Sequence, residues 1–130
     1  MKRFLIFFPL ALFWITAAQA QSRTRTVPAG QTTRVAVYTA WDPKYCGSVF
    51  GVVKISVKPQ RGKLSNRVID TTIPNSRFGN SGECLGKPTK GFAIFYAAPG
   101  GFRGTDSFTL DVSWPAIGRQ ATDTYSIIVQ

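Results

Sequence analysis

Three stretches of this chain alternate apolar and other residues with a strict period of two. Val35 and Val37 stand between Arg34, Ala36 and Tyr38; Val53, Ile55 and Val57 alternate with Lys54, Ser56 and Lys58; Phe108, Leu110 and Val112 alternate with Ser107, Thr109 and Asp111. Successive side chains of an extended strand leave on opposite faces, so this period belongs to strands with one face buried and not to an amphipathic helix. Tyr125, Ile127 and Val129 repeat it near the C-terminus, and residues 92–97 form a denser apolar run that suits a strand covered on both faces. Between these runs lie Pro28-Ala29-Gly30, Pro59-Gln60-Arg61-Gly62, the stretch from Gly79 to Gly86, Pro99-Gly100-Gly101 and Trp114-Pro115-Ala116-Ile117-Gly118, all of them turn chemistry. No segment after residue 20 sustains a helical period. Six or seven short strands in roughly 110 residues make an all-β fold with one core, an immunoglobulin-like antiparallel β-sandwich of about seven strands.

The first twenty residues read as a leader. Lys2 and Arg3 precede an apolar run from Phe4 to Ile15, and Ala18-Gln19-Ala20 puts small residues where a signal peptidase reads. The expected organisation is therefore a cleaved signal peptide over 1–20 and a single sandwich domain over 21–130. The apolar run is about 12 residues, short of the roughly 20 that span a bilayer, so the expected location is the periplasm or the extracellular space. Cys46 and Cys84 both fall in the exported part, and an even pair in a small exported domain reads as a disulfide. A redox role has little support, because there is no CxxC spacing and no histidine to activate a thiolate. Without Lys2 and Arg3, the 16 Lys and Arg become 14 against six acids, a net charge of +8.

The stretch "AIFYAAPGGFRGTDSFTLDVSW", followed by "ATDTYSIIV", closely resembles the C-terminal half of bacterial immunoglobulin-like, cadherin-like domains of surface and secreted proteins. The segment "VKISVKPQRGKL" is similar to an earlier strand, Pro-x-x-Gly turn and strand of the same family. The resemblance covers roughly residues 49–130 and implies a sandwich fold, while saying little about activity. Members usually occur as tandem modules of large proteins, and the cysteine pair is not part of the shared motif. The residues of the motif carry their own physical reading. Gly100, Gly101 and Gly104 permit backbone conformations closed to other residues, Phe102 is suited to plug the turn, and Asp106 is suited to accept backbone N–H bonds. Gly101, Phe102, Gly104 and Asp106 therefore read as a rigid structural corner. A calcium role for Asp106 is the weaker reading, because calcium takes six to eight oxygens and the acids are scattered at 42, 70, 83, 106, 111 and 123. No metal or cofactor is expected.

Catalysis is not expected either. The chain has no histidine, which removes the commonest general base and metal ligand. The part after residue 20 has no Ser-x-x-Lys, and Asp106 and Asp111, five apart on one strand, point to opposite faces. Two classes of function remain. One is a non-enzymatic exported binding module for an anionic polymer, an anionic membrane surface or an acidic protein partner; export argues against cytoplasmic nucleic acid. The other is a structural or accessory subunit of an envelope assembly that docks through its sandwich edges. For the first, the candidate anion site is Lys54, Lys58, Arg61, Lys63 and Arg67. If residues 53–58 and 63–68 pair as a hairpin across Pro59–Gly62, Lys58 faces Lys63 and Lys54 faces Arg67 on the outside, with Arg61 at the tip and Val53, Val57, Leu64 and Val68 turned inward. Arg23 and Arg119 are expected to be remote from that site. Trp41, Tyr45 and Trp114 belong to loops, where they either close the ends of the sandwich or form a ligand platform.

Overall fold

The computed structural model describes residues 19–130. Seven strands run β1 (Gln19–Val27), β2 (Thr32–Tyr38), β3 (Val52–Val57), β4 (Lys63–Thr72), β5 (Pro88–Ala97), β6 (Gly104–Trp114) and β7 (Arg119–Val129). They form a four-stranded sheet in the order β1-β7-β6-β3 and a three-stranded sheet in the order β2-β5-β4, packed as a sandwich. The leader assigned to 1–20 lies mostly outside the described residues, although Gln19 and Ala20 continue β1 beside Ala121 and Thr122. Among the described residues, helical structure is confined to two short 3-10 turns, Gly82–Cys84 and Pro115–Ile117.

The alternation of β6 and β7 builds the core. Phe108, Leu110, Val112 and Trp114 from one strand, and Ala121, Tyr125, Ile127 and Val129 from the other, are all buried. Val35 and Tyr38 of β2 and Ile94 and Tyr96 of β5 close over them from the second sheet. Tyr96, Phe108 and Tyr125 stack in series, with ring centroids 6.5 and 5.0 Å apart. A disulfide joins Cys46 to Cys84, with 5.4 Å between the Cα atoms. It ties the loop between β2 and β3 to the loop between β4 and β5, and such a bond belongs to an oxidising compartment. No helix among the described residues is long and apolar enough to cross a membrane.

Three expectations need correction. First, β1 pairs in parallel with β7, so the sandwich is antiparallel except at that edge. Its sequence, with Arg23 and Arg25 alternating with threonines, has no apolar face, and an apolar-period search therefore passes over it. Second, β3 and β4 are not a hairpin: β3 pairs with β6 and β4 with β5, in different sheets. The Pro59–Gly62 segment is an arch between layers, so Lys58 does not face Lys63, nor Lys54 Arg67. Val57 and Val68, assigned to the interior, are 53% and 52% exposed. Third, of the motif glycines only Gly104 takes a positive φ, +140°, whereas a Cβ on Gly100 or Gly101 would meet open space.

Asp106 is what makes the arch. Its Oδ1 accepts from the amides of Gln60 at 2.9 Å and Ser107 at 2.9 Å. Its Oδ2 accepts from the amides of Arg61 at 3.0 Å and Gly62 at 2.9 Å and from the Tyr96 hydroxyl at 2.8 Å. Burial favours the neutral acid, but the Gly62 and Gln60 amides, the Tyr96 hydroxyl and the Arg61 amide outweigh it and hold the carboxyl at about 2. With five protein donors on its two oxygens, Asp106 is a structural corner. Gly62 packs so closely on Tyr96 that an added Cβ would lie 2.2 Å from the ring. Phe102 is half-buried against the core and carries the Arg61 guanidinium 5.2 Å above its ring.

Candidate functional site

The five nominated cations do not come together as one ladder. Lys54 lies on β3 opposite Asp111, and Lys58 follows the strand's end. Arg61 sits in the arch, and Lys63 and Arg67 lie on β4, in the other sheet. All five are exposed. Arg67 stacks on Phe95, 4.8 Å from the ring centre, and Arg61 on Phe102, so both guanidiniums already cover aromatic surface of their own chain.

The more concentrated chemistry lies at the opposite end of the sandwich from the arch. There the loops joined by the disulfide flank a cavity of about 530 Å³. Four arginines, Arg23, Arg25, Arg77 and Arg119, line it, with Asp123 as its one acid and Tyr38, Trp41, Phe78, Trp114 and Tyr125 as its aromatic walls. Two of these arginines arrive through strand geometry. On β1, Ser22, Thr24 and Thr26 are exposed while Gln21, Arg23, Arg25 and Val27 are partly or fully buried. The parallel register sets Gln21 beside Asp123, Arg23 beside Tyr125 and Val27 beside Val129. Positions that a sandwich ordinarily fills with apolar side chains are thus occupied by guanidiniums.

Asp123 is itself on the core-facing side of β7 and is 0% exposed. Arg77, brought in by the loop after β4, donates to both its oxygens at 2.7 Å, and the Tyr38 hydroxyl donates at 2.8 Å. The Tyr38 and Tyr125 hydroxyls lie 2.9 Å apart. Burial alone would raise the Asp123 carboxyl, but the Arg77 and Tyr38 hydrogen bonds hold it below the ordinary range. Burial pushes both tyrosine hydroxyls up, so they remain protonated donors. The bond to Asp123 likewise raises Arg77.

The remaining arginines are differently placed. Arg25 Nε donates to the Val35 carbonyl at 3.0 Å, and its guanidinium lies 5.9 Å from the Tyr125 ring centre. Arg119 and Arg77 lie 5.4 and 5.7 Å from the Phe78 ring centre, and Phe78 meets Trp114 edge-on at 5.8 Å. Arg23 donates to Gln21 Oε1, while its buried Nε has no acceptor among the described residues. Arg77 forms the ion pair with Asp123 and Arg23 adds a weaker electrostatic attraction to the same carboxylate, while no ion pair among the described residues engages Arg23, Arg25 or Arg119. Trp114 and Trp41 both line this space, whereas Tyr45 is 76% exposed outside it.

Arg23 and Arg119, expected only to be remote from the Lys54–Arg67 cations, line this cavity. The only signal in the sequence is the charged alternation in "SRTRT", and it acquires meaning only once β1 is known to be a strand with an inner face.

No family model matches the chain, and no curated protein matches it. Among solved structures it is similar to the solution structure of Amebosin, at 15% sequence identity, over 88% of this chain and 100% of that one, with a TM-score of 0.43.

Proposed function

We propose that this chain is a non-enzymatic, exported binding module that takes an anionic ligand with an apolar or aromatic body into the arginine-lined end of the sandwich. The observation that carries this reading is the presence of Arg23, Arg25 and Arg119 around one cavity whose sole acid is already neutralised by Arg77. Arg119 is exposed, but Arg23 and Arg25 are half-buried, and withdrawing guanidiniums from water opposes folding unless their charge is matched; local rules of this kind are broken mainly where function requires it. An anion supplies the missing charge and an acceptor for Arg23 Nε. The rings of Trp114, Phe78 and Tyr38 supply contact for an apolar body, and the volume suits a small ligand. Asp123 serves as a fixed counter-ion and not as a general base, since its lone pairs are engaged by Arg77 and Tyr38. Export to the periplasm or beyond rests on the leader at 1–20, and kinship with immunoglobulin-like, cadherin-like modules rests on the 92–129 motif.

The test uses anilinonaphthalene sulfonate, an anionic aromatic dye whose fluorescence rises on binding. Arg23→Gln with Arg119→Gln is expected to weaken it at least about tenfold, the worth of one charge-assisted hydrogen bond. Replacing Lys54, Lys58, Lys63 and Arg67 together by Gln is expected to change affinity less than about twofold, as for exposed charges in salt. Equal losses in the two variants, or a larger loss in the second, refute the cavity as the site.

A further inference from the structure

A second surface, independent of the cavity, lies along the side of the sandwich where β3 and β4 are the free edges of the two sheets. Eight large hydrophobic side chains are exposed among the described residues, and five of them, Phe50, Val52, Ile55, Val57 and Val68, belong to β3, its approach or β4. Phe50 and Val68 line a shared shallow dent with Val53 and Phe92, which places the two edges side by side. Lys54 lies on β3 opposite Asp111, Lys58 follows the end of β3 and Lys63 opens β4, and none of the three makes an ion pair among the described residues. The outer backbone groups of β3 have no partner strand.

We propose that the free edge of β3 is a docking site for an extended acidic segment of a partner protein, which adds to the four-stranded sheet as a fifth strand. Unpaired edge amides and carbonyls provide the main-chain bonds of strand addition, and apolar residues beside them provide contacts for alternate side chains of the incoming segment. The charge decides what that segment carries. A second copy of this chain would bring Lys54 and Lys58 against their own kind, whereas glutamates or aspartates meet them with opposite sign. Lipid is a poor occupant, because burying an open edge in hydrocarbon strands its N–H and C=O groups. Lysines alone would serve to keep an edge soluble, but that role does not account for Val52, Ile55 and Val57 being left 45–53% exposed on one six-residue strand. The ladder to β6 is regular from Val52 to Ile55 and slips before Val57, which centres the docking stretch on the first half of the strand.

The probe is a fluorescent peptide of about seven residues alternating Glu and Val, long enough to cover β3. Its controls are an alternating Lys and Val peptide and an N-methylated Glu and Val peptide that cannot complete a ladder. Anisotropy is expected to show the acidic peptide binding at least about tenfold more tightly than either control, one tenfold step being a single good interaction. Amide exchange within Val52–Val57 is expected to slow on binding. Lys54→Gln with Lys58→Gln, both at exposed positions, is expected to abolish the preference for the acidic over the basic peptide while the circular dichroism of the fold is unchanged. Equal binding of the acidic and basic peptides overturns the proposal, as does undiminished binding of the N-methylated one. Slowed exchange at Arg23 and Tyr125 in place of β3 assigns the peptide to the cavity and also overturns it. So does concentration-dependent self-association that protects β3 without peptide.

Discussion

Replacing Asp106 by Ala removes one carboxylate and releases five donors at once. Four of the five, the amides of Gln60, Arg61 and Gly62 and the Tyr96 hydroxyl, lie on other segments, so the change unties the inter-sheet arch from β6. A buried donor left without an acceptor costs about 1–3 kcal/mol, and relaxation of the arch towards water recovers part of the sum, giving an expected loss of about 4 kcal/mol. The acid's own titration gives a second, separate figure. A carboxyl held at about 2 against an unfolded value of 3.8 corresponds to about 2.5 kcal/mol. The sign follows from the depression: this contribution is complete above the unfolded value and is lost as pH falls from about 4 towards about 2. Urea unfolding of the disulfide-intact protein, followed by tryptophan fluorescence, should show the full deficit of Asp106→Ala near neutral pH. The gap between the two proteins should narrow by about 2.5 kcal/mol in acid, because the parent then loses what the variant never had. Asp123 also destabilises on protonation, but it does so in both proteins and cancels in the difference. A deficit below about 1 kcal/mol, or one that does not change with pH, would refute Asp106 as the fastening of the arch.

Cys46→Ser with Cys84→Ser should cost about 4 kcal/mol, the chain-entropy value for residues 38 apart, read as a drop in urea midpoint. Phe108→Ala should cost about 3–5 kcal/mol because the ring is buried between Tyr96 and Tyr125. Thr109→Ala, which loses one half-buried hydroxyl bond of 3.0 Å to Thr124, should cost about 1 kcal/mol; a larger loss there than at Phe108 would invert the faces of β6. Asp123→Asn leaves the Arg77 guanidinium without its counter-charge and should cost about 3 kcal/mol, with loss of near-ultraviolet dichroism from the Tyr38 and Trp114 pair. A stability within about 0.5 kcal/mol of the parent would show that the pair is not a structural anchor.

The strands that bury an apolar face announced themselves. Phe108, Leu110 and Val112 were legible because burial selects apolar residues at every second position, and a local pattern suffices to record that selection. The cysteine pair was legible for a similar reason: with two cysteines in the sequence, only one bridge can form within the chain. Asp106 reads as a corner from its neighbours in sequence, yet three of its five donors, the amides of Gln60, Arg61 and Gly62, lie 44 to 46 residues away. Pairing was another matter. β3 and β4 have the spacing of a hairpin, yet each joins a different sheet, and the turn between them is an arch held by Asp106 from β6, a strand more than 40 residues further on. For the same reason Val57 and Val68 read as core and stand at the surface, since both strands became edges. The cavity was hidden most completely. Arg23, Arg25, Arg77, Arg119 and Asp123 come from two strands and one loop far apart in the chain, and an arginine on the inner face of a strand has no local signature that separates it from one in solvent. Which face of a strand is inside is a property of what packs against it, and that is settled by the tertiary fold alone.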